Sequence, residues 1–143
     1  MEQYPTFAWM DTAASVPRFG DLLALASKSE GIPLVQGVVY DLPDRDCSAK
    51  ASAGEFSIAD GGAEKYKAYI DSIVELIEST RKCLADIDLN NILHNFSEFP
   101  NVRVVLVIEP DSLANLVTNL DVPKCANAES TYKVCIDLFS PLI

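Results

Sequence analysis

Residues 34–40, Leu-Val-Gln-Gly-Val-Val-Tyr, place apolar side chains at consecutive positions. A strand of that kind is buried on both faces, and the sheet that buries both faces is built from parallel strands joined by helical crossovers. The run closes in Asp-Leu-Pro-Asp-Arg-Asp-Cys over residues 41–47, where Pro43 stops a regular continuation. A tyrosine, three acids, an arginine and a cysteine gather at the end of a buried strand. Few structural needs call for that composition, so residues 38–47 are read as the centre of a functional site.

The rest of the chain alternates strand and helix. Residues 5–11 read as a short strand with Trp9 and Asp11 at its end. Residues 16–28 read as a helix, with Phe19, Leu22, Leu23 and Ala26 at helical spacing, and 29–33 as a loop with a Gly-Ile-Pro breaker. Residues 41–60 form a long loop, a feature associated with function in compact domains. Asp60 is the expected N-cap of a helix running to about Ser79, with Tyr66, Ile70, Ile73, Val74 and Ile77 on one face. Residues 102–108 are the clearest strand and end in Glu109-Pro110-Asp111. Residues 112–120 follow as a helix with Ser112 at its cap, 123–127 as a loop carrying Cys125, and 128–138 as the start of another helix. In a β-α-β-α-β-α order, right-handed crossovers make the strands parallel. Trp9 and Asp11, residues 40–46, and residues 109–111 therefore face one rim, where α/β folds bind ligands. Three acidic strand ends point to acid–base chemistry more than to anion binding.

The bulk composition narrows the partners. A chain of 143 residues with 49% hydrophobic content suits one domain with a core. Its 21 acids against 11 bases give a net charge of −10, so nucleic acid and anionic membrane are poor partners, whereas a neutral, hydroxyl-rich substrate is not repelled. No apolar run reaches the length of a membrane span, and the N-terminus lacks a basic region followed by an apolar one, so no signal peptide is visible. Cys47, Cys83, Cys125 and Cys135 form no CxxC pair and His94 is the single histidine. No metal site and no cofactor are expected. Counting alone leaves disulfide and free thiol both open.

Two carboxylates on opposing loops are the minimal kit for glycosidic cleavage. One stays protonated to give its proton to the leaving oxygen, and an ionised one nearby keeps it so and stabilises an oxocarbenium-like transition state. Aromatic faces beside them stack sugar rings. Asp46, Asp111, Tyr40 and Trp9 meet those needs. Three strings go further: Val-Val-Tyr-Asp-Leu-Pro-Asp-Arg-Asp-Cys, Phe-Ser-Ile-Ala-Asp-Gly-Gly, and Leu-Val-Ile-Glu-Pro-Asp-Ser-Leu-Ala-Asn-Leu-Val-Thr-Asn. Over residues 5–79 and 101–137 the chain closely resembles glycoside hydrolase family 6, with the nearest likeness to fungal secreted cellobiohydrolases of the type II kind.

The resemblance implies an α/β fold: about three parallel strands of a distorted, seven-stranded (β/α) barrel. It implies inverting hydrolysis of β-1,4 bonds in cellulose, with cellulose or cello-oligosaccharides as partners, an extracellular setting and a monomer. Asp111 matches the general acid. Asp46 matches the aspartate that raises the acid's pKa and helps stabilise positive charge on the sugar. Tyr40 matches the tyrosine that favours a distorted ring, Arg45 a residue holding Asp46 ionised, and Ser52 a serine that positions the water chain. Trp9 and Asp11 match sugar-binding residues. Cys47 and Cys125 match a disulfide that would tie the Asp46 loop to the segment after Asp111.

The chain departs from the family in three places. Residues 80–97 stand where the family has only a few residues. Deleting them restores an ordinary junction, and Arg-Lys-Cys and Phe-Ser can be encoded across splice-site forms, so they read as a translated intron; a genuine loop or extra helical turn is the alternative. Asn95-Phe96-Ser97 is a glycosylation sequon within that stretch, and Cys83 and His94 lie there too and receive no role. Residues 138–143 form a tail unlike the family, whose remaining strands, several stacking tryptophans and usual candidate base are not matched. A leader and cellulose-binding module, common in the family, are not visible. Domain 1–143 thus reads as a truncated catalytic domain with weak folding and little or no hydrolysis of its own.

Plainer readings stand beside these. Asp44-Arg45-Asp46 also suits a solvated turn, Tyr40 a strand-end core aromatic, Trp9 a core residue and Glu109-Pro110-Asp111 a helix entry. Cys135 reads as a buried thiol. Two functions follow from the sequence: an inverting β-1,4-glucanase, or a non-catalytic remnant that binds saccharides or has no function.

Overall fold

The apolar runs pair as parallel strands. The computed structural model of the chain describes residues 6–49, 53–82, 102–112 and 118–137. Strands β1 (Ala8–Met10), β2 (Leu34–Val39) and β3 (Arg103–Ile108) form one sheet in the order β1-β2-β3. Met10 stands opposite Val39, and Val39 opposite Ile108, all strands running the same way. The α/β expectation and the shared rim at the strand ends therefore hold. Strand β2 is central, which is why its consecutive Val38 and Val39 are both buried.

Helices α1 (Val16–Ala26), α2 (Gly62–Lys82) and α3 (Pro123–Asp137) supply the rest of the core. Phe19 and Leu23 of α1, Tyr66 and Ile73 of α2 and Tyr132 of α3 pack with Val35 and Val39 of the sheet. Strand β3 is apolar at nearly every position, yet it alternates. Val104, Leu106 and Ile108 pack on this core, while Val105 and Val107 are 44% and 38% exposed. Trp9, Val38 and Val107 stand in register and share that second face, because successive strand residues point to opposite sides.

Several boundaries differ from the sequence reading. Helix α1 stops at Ala26 and α2 runs on to Lys82. Residues 123–127 are not a loop: Pro123 opens α3, its fixed φ and missing N–H suiting the first helical turn. Cys125 thus sits in a helix. Asp60 does not cap α2, because it ends a short 3-10 turn, Ile58–Asp60, and Gly61 at φ 70° turns the chain into the helix. Cys135 is a free, buried thiol, as expected. Ser52, Cys83, His94, the sequon, residues 113–117 of the helix expected over 112–120, and the 138–143 tail lie outside the described residues.

The long loop is seated on α2 through Gly62. Its N–H donates to Ser57 O at 2.9 Å, and a Cβ there would lie 2.6 Å from that oxygen and 2.9 Å from Pro43 Cβ. Gly62→Ala is expected to lower stability by about 1–3 kcal/mol through this overlap, despite alanine's better helix propensity. Urea denaturation checks it, and a stabilised variant would refute the close seating.

Candidate active site

The loop after β2 carries most of the site. Tyr40 directly follows the strand, its N–H donating to Met10 O at 3.2 Å. Its hydroxyl donates to Asp46 Oδ2 at 3.0 Å. Two tight turns make that contact possible, and they hold Asp44 and Asp46 at φ 57° and 50°. Left-handed backbone is uncommon outside glycine, though Asp adopts it more readily than most residues. Asp44 is fixed on two sides: Oδ2 accepts the Ile58 N–H at 3.1 Å and Oδ1 pairs with Lys124 Nζ of α3 at 3.1 Å.

Arg45 is buried beneath this loop. Its guanidinium carbon lies 4.3 Å above the Tyr40 ring centroid, and Nη2 donates to Asp11 O at 2.9 Å. Nε is 3.7 Å from Asp41 Oδ1. Gly54 makes room for it, since a Cβ there would lie 2.7 Å from Nε. Trp9 also meets the Tyr40 ring, in a T-shaped contact at 5.6 Å between centroids, and is 52% exposed. An indole half open to solvent at a strand end presents a flat apolar face to a ligand.

Burial, the bond to Asp46 and that carboxylate's charge push the Tyr40 hydroxyl up to about 12. Arg45 opposes the shift and Asp111 adds to it. The phenol stays protonated at ordinary pH and remains a donor to Asp46. Asp111 itself is exposed, in the turn after β3. The structure therefore gathers Trp9, Arg45 and Asp46 around Tyr40, with Asp11 joined to Arg45 through its backbone oxygen and Asp111 within electrostatic reach on the neighbouring strand end. Cys47 and Cys125 are bonded. Ser52 lies outside the described residues.

Sequence reasoning gave no individual role to Glu109 and Asp41, which are buried behind the site. Glu109 Oε1 accepts the Asp41 N–H at 2.9 Å and the Tyr66 hydroxyl at 2.9 Å, and Oε2 accepts from Ser112 Oγ at 3.2 Å. Burial raises its pKa, against the pull of these donors. The only sequence signal for such a role was an acid placed at the end of an apolar strand. Among the described residues no group of His, Cys, Asp or Glu is arranged to hold a metal ion, and no helix is long and apolar enough to cross a membrane.

The model of glycosyl hydrolases family 6 matches residues 1–89 and 85–138. Exoglucanase 3 of Agaricus bisporus is 55% identical over 130 residues, 90% of this chain and 25% of the relative. The CcCel6A catalytic domain complexed with p-nitrophenyl β-D-cellotrioside is 46% identical, with a TM-score of 0.76 over 94% of this chain and 33% of that one. Cellobiohydrolase II (Cel6A) from Humicola insolens, in complex with glucose and cellotetraose, is 40% identical, with a TM-score of 0.75 over 94% of this chain and 34% of that one. The chain thus spans about a quarter of the curated relatives and a third of the solved domains. With the family model covering most of its length, the chain belongs to glycosyl hydrolases family 6.

Proposed function

We propose that this chain carries the acid side of an inverting β-1,4-glucanase site acting on cellulose and cello-oligosaccharides. The observation that supports it best is the Tyr40–Asp46 hydrogen bond beside the half-exposed Trp9, on the rim that Asp111 shares. Trp9 and Asp11 bind the sugar chain. Tyr40 presses on the ring at the cleavage point and favours its distortion. Asp111 gives its proton to the leaving oxygen. Asp46, held by Tyr40, keeps that proton on Asp111 and stabilises positive charge on the ring. Arg45 steadies Asp46 through the Tyr40 ring it lies against, and Ser52 positions water. Inversion needs a base that activates this water from the opposite side, and no residue here is assigned to it. The three strands belong to a distorted, seven-stranded barrel working as an extracellular monomer.

Residues 80–97 are an insertion, read as a translated intron. The reading rests on the ordinary family junction that deleting the stretch restores. Transcripts that all retain the stretch would remove the idea.

By itself the chain is expected to bind cellotetraose and to hydrolyse it slowly or not at all, because β3 leaves one sheet face open. Calorimetry on Trp9→Ala should show affinity about tenfold lower, a loss of about 1.4 kcal/mol, because the ligand no longer covers a large aromatic face. Any turnover seen by NMR should release the α-anomer first and fall at least about 100-fold on Asp111→Asn, the usual scale of acid catalysis. Turnover that survives Asp111→Asn, or that retains configuration, would overturn the mechanism. Binding with no turnover favours the second reading, a saccharide-binding remnant.

A further inference from the structure

Glu109 takes no part in the chemistry above, yet three elements of the site converge on its carboxyl. Its backbone sits at φ 45°, a left-handed conformation that costs a residue other than glycine about 1–2 kcal/mol. Its side chain is 7% exposed. Oε1 takes the Asp41 N–H from the start of the loop that bears Arg45 and Asp46, and the Tyr66 hydroxyl from α2. Oε2 takes the hydroxyl of Ser112, the residue after Asp111. Its own N–H donates to Val39 O at 2.8 Å, closing β3 onto β2. Glycine would adopt this φ without strain. A strained, buried acid persists only when its surroundings over-determine it, and such residues cluster where geometry matters for function.

We propose that Glu109 is a positioning residue: its carboxyl brackets the Tyr40–Asp46 loop to the turn bearing Asp111 and so fixes the separation of the two working carboxylates. That separation matters because inversion must leave room for one water, and a misplacement of about 1 Å can cost about 100-fold in rate. The proposal rests on the reading of Asp46 and Asp111 given above, but its test involves no saccharide.

The bracket works through accepted hydrogen bonds, not through charge. In Glu109→Gln the amide oxygen can still accept from Asp41 N and Tyr66 Oη, and the amide nitrogen can donate to a turned Ser112 hydroxyl. In Glu109→Ala all three bonds are lost. The Cys47–Cys125 disulfide reports the outcome, since Cys47 adjoins Asp46 and Cys125 lies beyond Asp111 on α3. Its oxidation equilibrium in the folded chain depends on how closely the loop is held. A uniform loss of stability leaves that equilibrium unmoved while the reduced chain stays folded.

The full chain would be equilibrated in glutathione buffers under native conditions, with Cys47 and Cys125 read by alkylation and mass spectrometry and folding checked by circular dichroism. Glu109→Ala is expected to shift the equilibrium about tenfold toward the dithiol, or about 30 mV, and Glu109→Gln to stay within about twofold of native. No shift in a folded Glu109→Ala chain, or an equal shift in Glu109→Gln, would overturn the proposal. If Glu109→Ala fails to fold, Tyr66→Phe takes its place with an expected shift of about threefold. An unmoved Tyr66→Phe, or a shifted Glu109→Gln, is then the refuting result. Absence of cellotetraose binding counts against the saccharide reading of the site and leaves this measurement standing.

Discussion

Changing Cys47 and Cys125 together to serine is expected to lower the free energy of unfolding by about 4–5 kcal/mol. The bridged residues are 78 apart in sequence, so the bond removes a large loop-closure entropy from the unfolded chain. A domain of this size has about 5–15 kcal/mol in total. Here β3 leaves Val105 and Val107 partly exposed, so the margin belongs at the lower end. The double-serine chain is expected to keep a cooperative urea transition at a clearly lower midpoint, and the native chain to show the same fall on passing from oxidising buffer to reductant. An unchanged midpoint in both comparisons would mean that the contacts around the bridge hold the loop by themselves.

The same bond has a local consequence. It joins the residue after Asp46 to the first turn of α3, and Lys124, the residue before Cys125, pairs with Asp44. The loop carrying Asp46 is therefore held from α3 by one covalent and one ionic contact. The double-serine chain should also show weaker cellotetraose binding, because Tyr40 and Asp46 lose a fixed place beside Trp9.

How much of this was legible depended on the range of the interaction. Parallel strands and a shared rim follow from apolar runs at residues 34–40 and 102–108 with helical periodicity between them, and these are local signals. The placement of Tyr40, Asp46 and Trp9 came from strings shared with a family, not from spacing, which equally allowed a solvated turn. The Glu109 bracket was invisible because its partners lie 68 and 43 residues away, and nothing local marks a buried acid as satisfied. Pro123 is ambiguous in the sequence because a proline can either end an element or begin one, and only the helix that follows decides. Strand β3 is apolar at nearly every position, yet Val105 and Val107 are partly exposed. Burial depends on what covers a face, and the strand's own residues do not encode that.

Asp41→Asn is expected to reverse sign with pH. The Asp41 side chain is fully buried, with the carboxyl of Glu55 beside it. Burial first, then the charge of Glu55, push its pKa up to about 8 against the pull of Arg45. In the unfolded chain the value is about 3.9. The folded chain therefore keeps a proton that the unfolded chain releases between about pH 4 and pH 8. The contribution of Asp41 is fully present below about pH 4 and lost as pH rises through 8, at up to about 1.4 kcal/mol per pH unit. Glu109, also raised by burial, slopes the same way. Asparagine cannot titrate, so its curve should be flatter by Asp41's share. Near pH 4.5 the native chain should match or exceed the variant, because a protonated carboxyl and an amide fill the site alike. Near pH 8 the variant should be more stable by several kcal/mol, because it has no charge to bury. Urea midpoints at both pH values decide it: parallel shifts would mean that Asp41 is ionised in the fold and that Arg45, 3.7 Å away, compensates its burial after all.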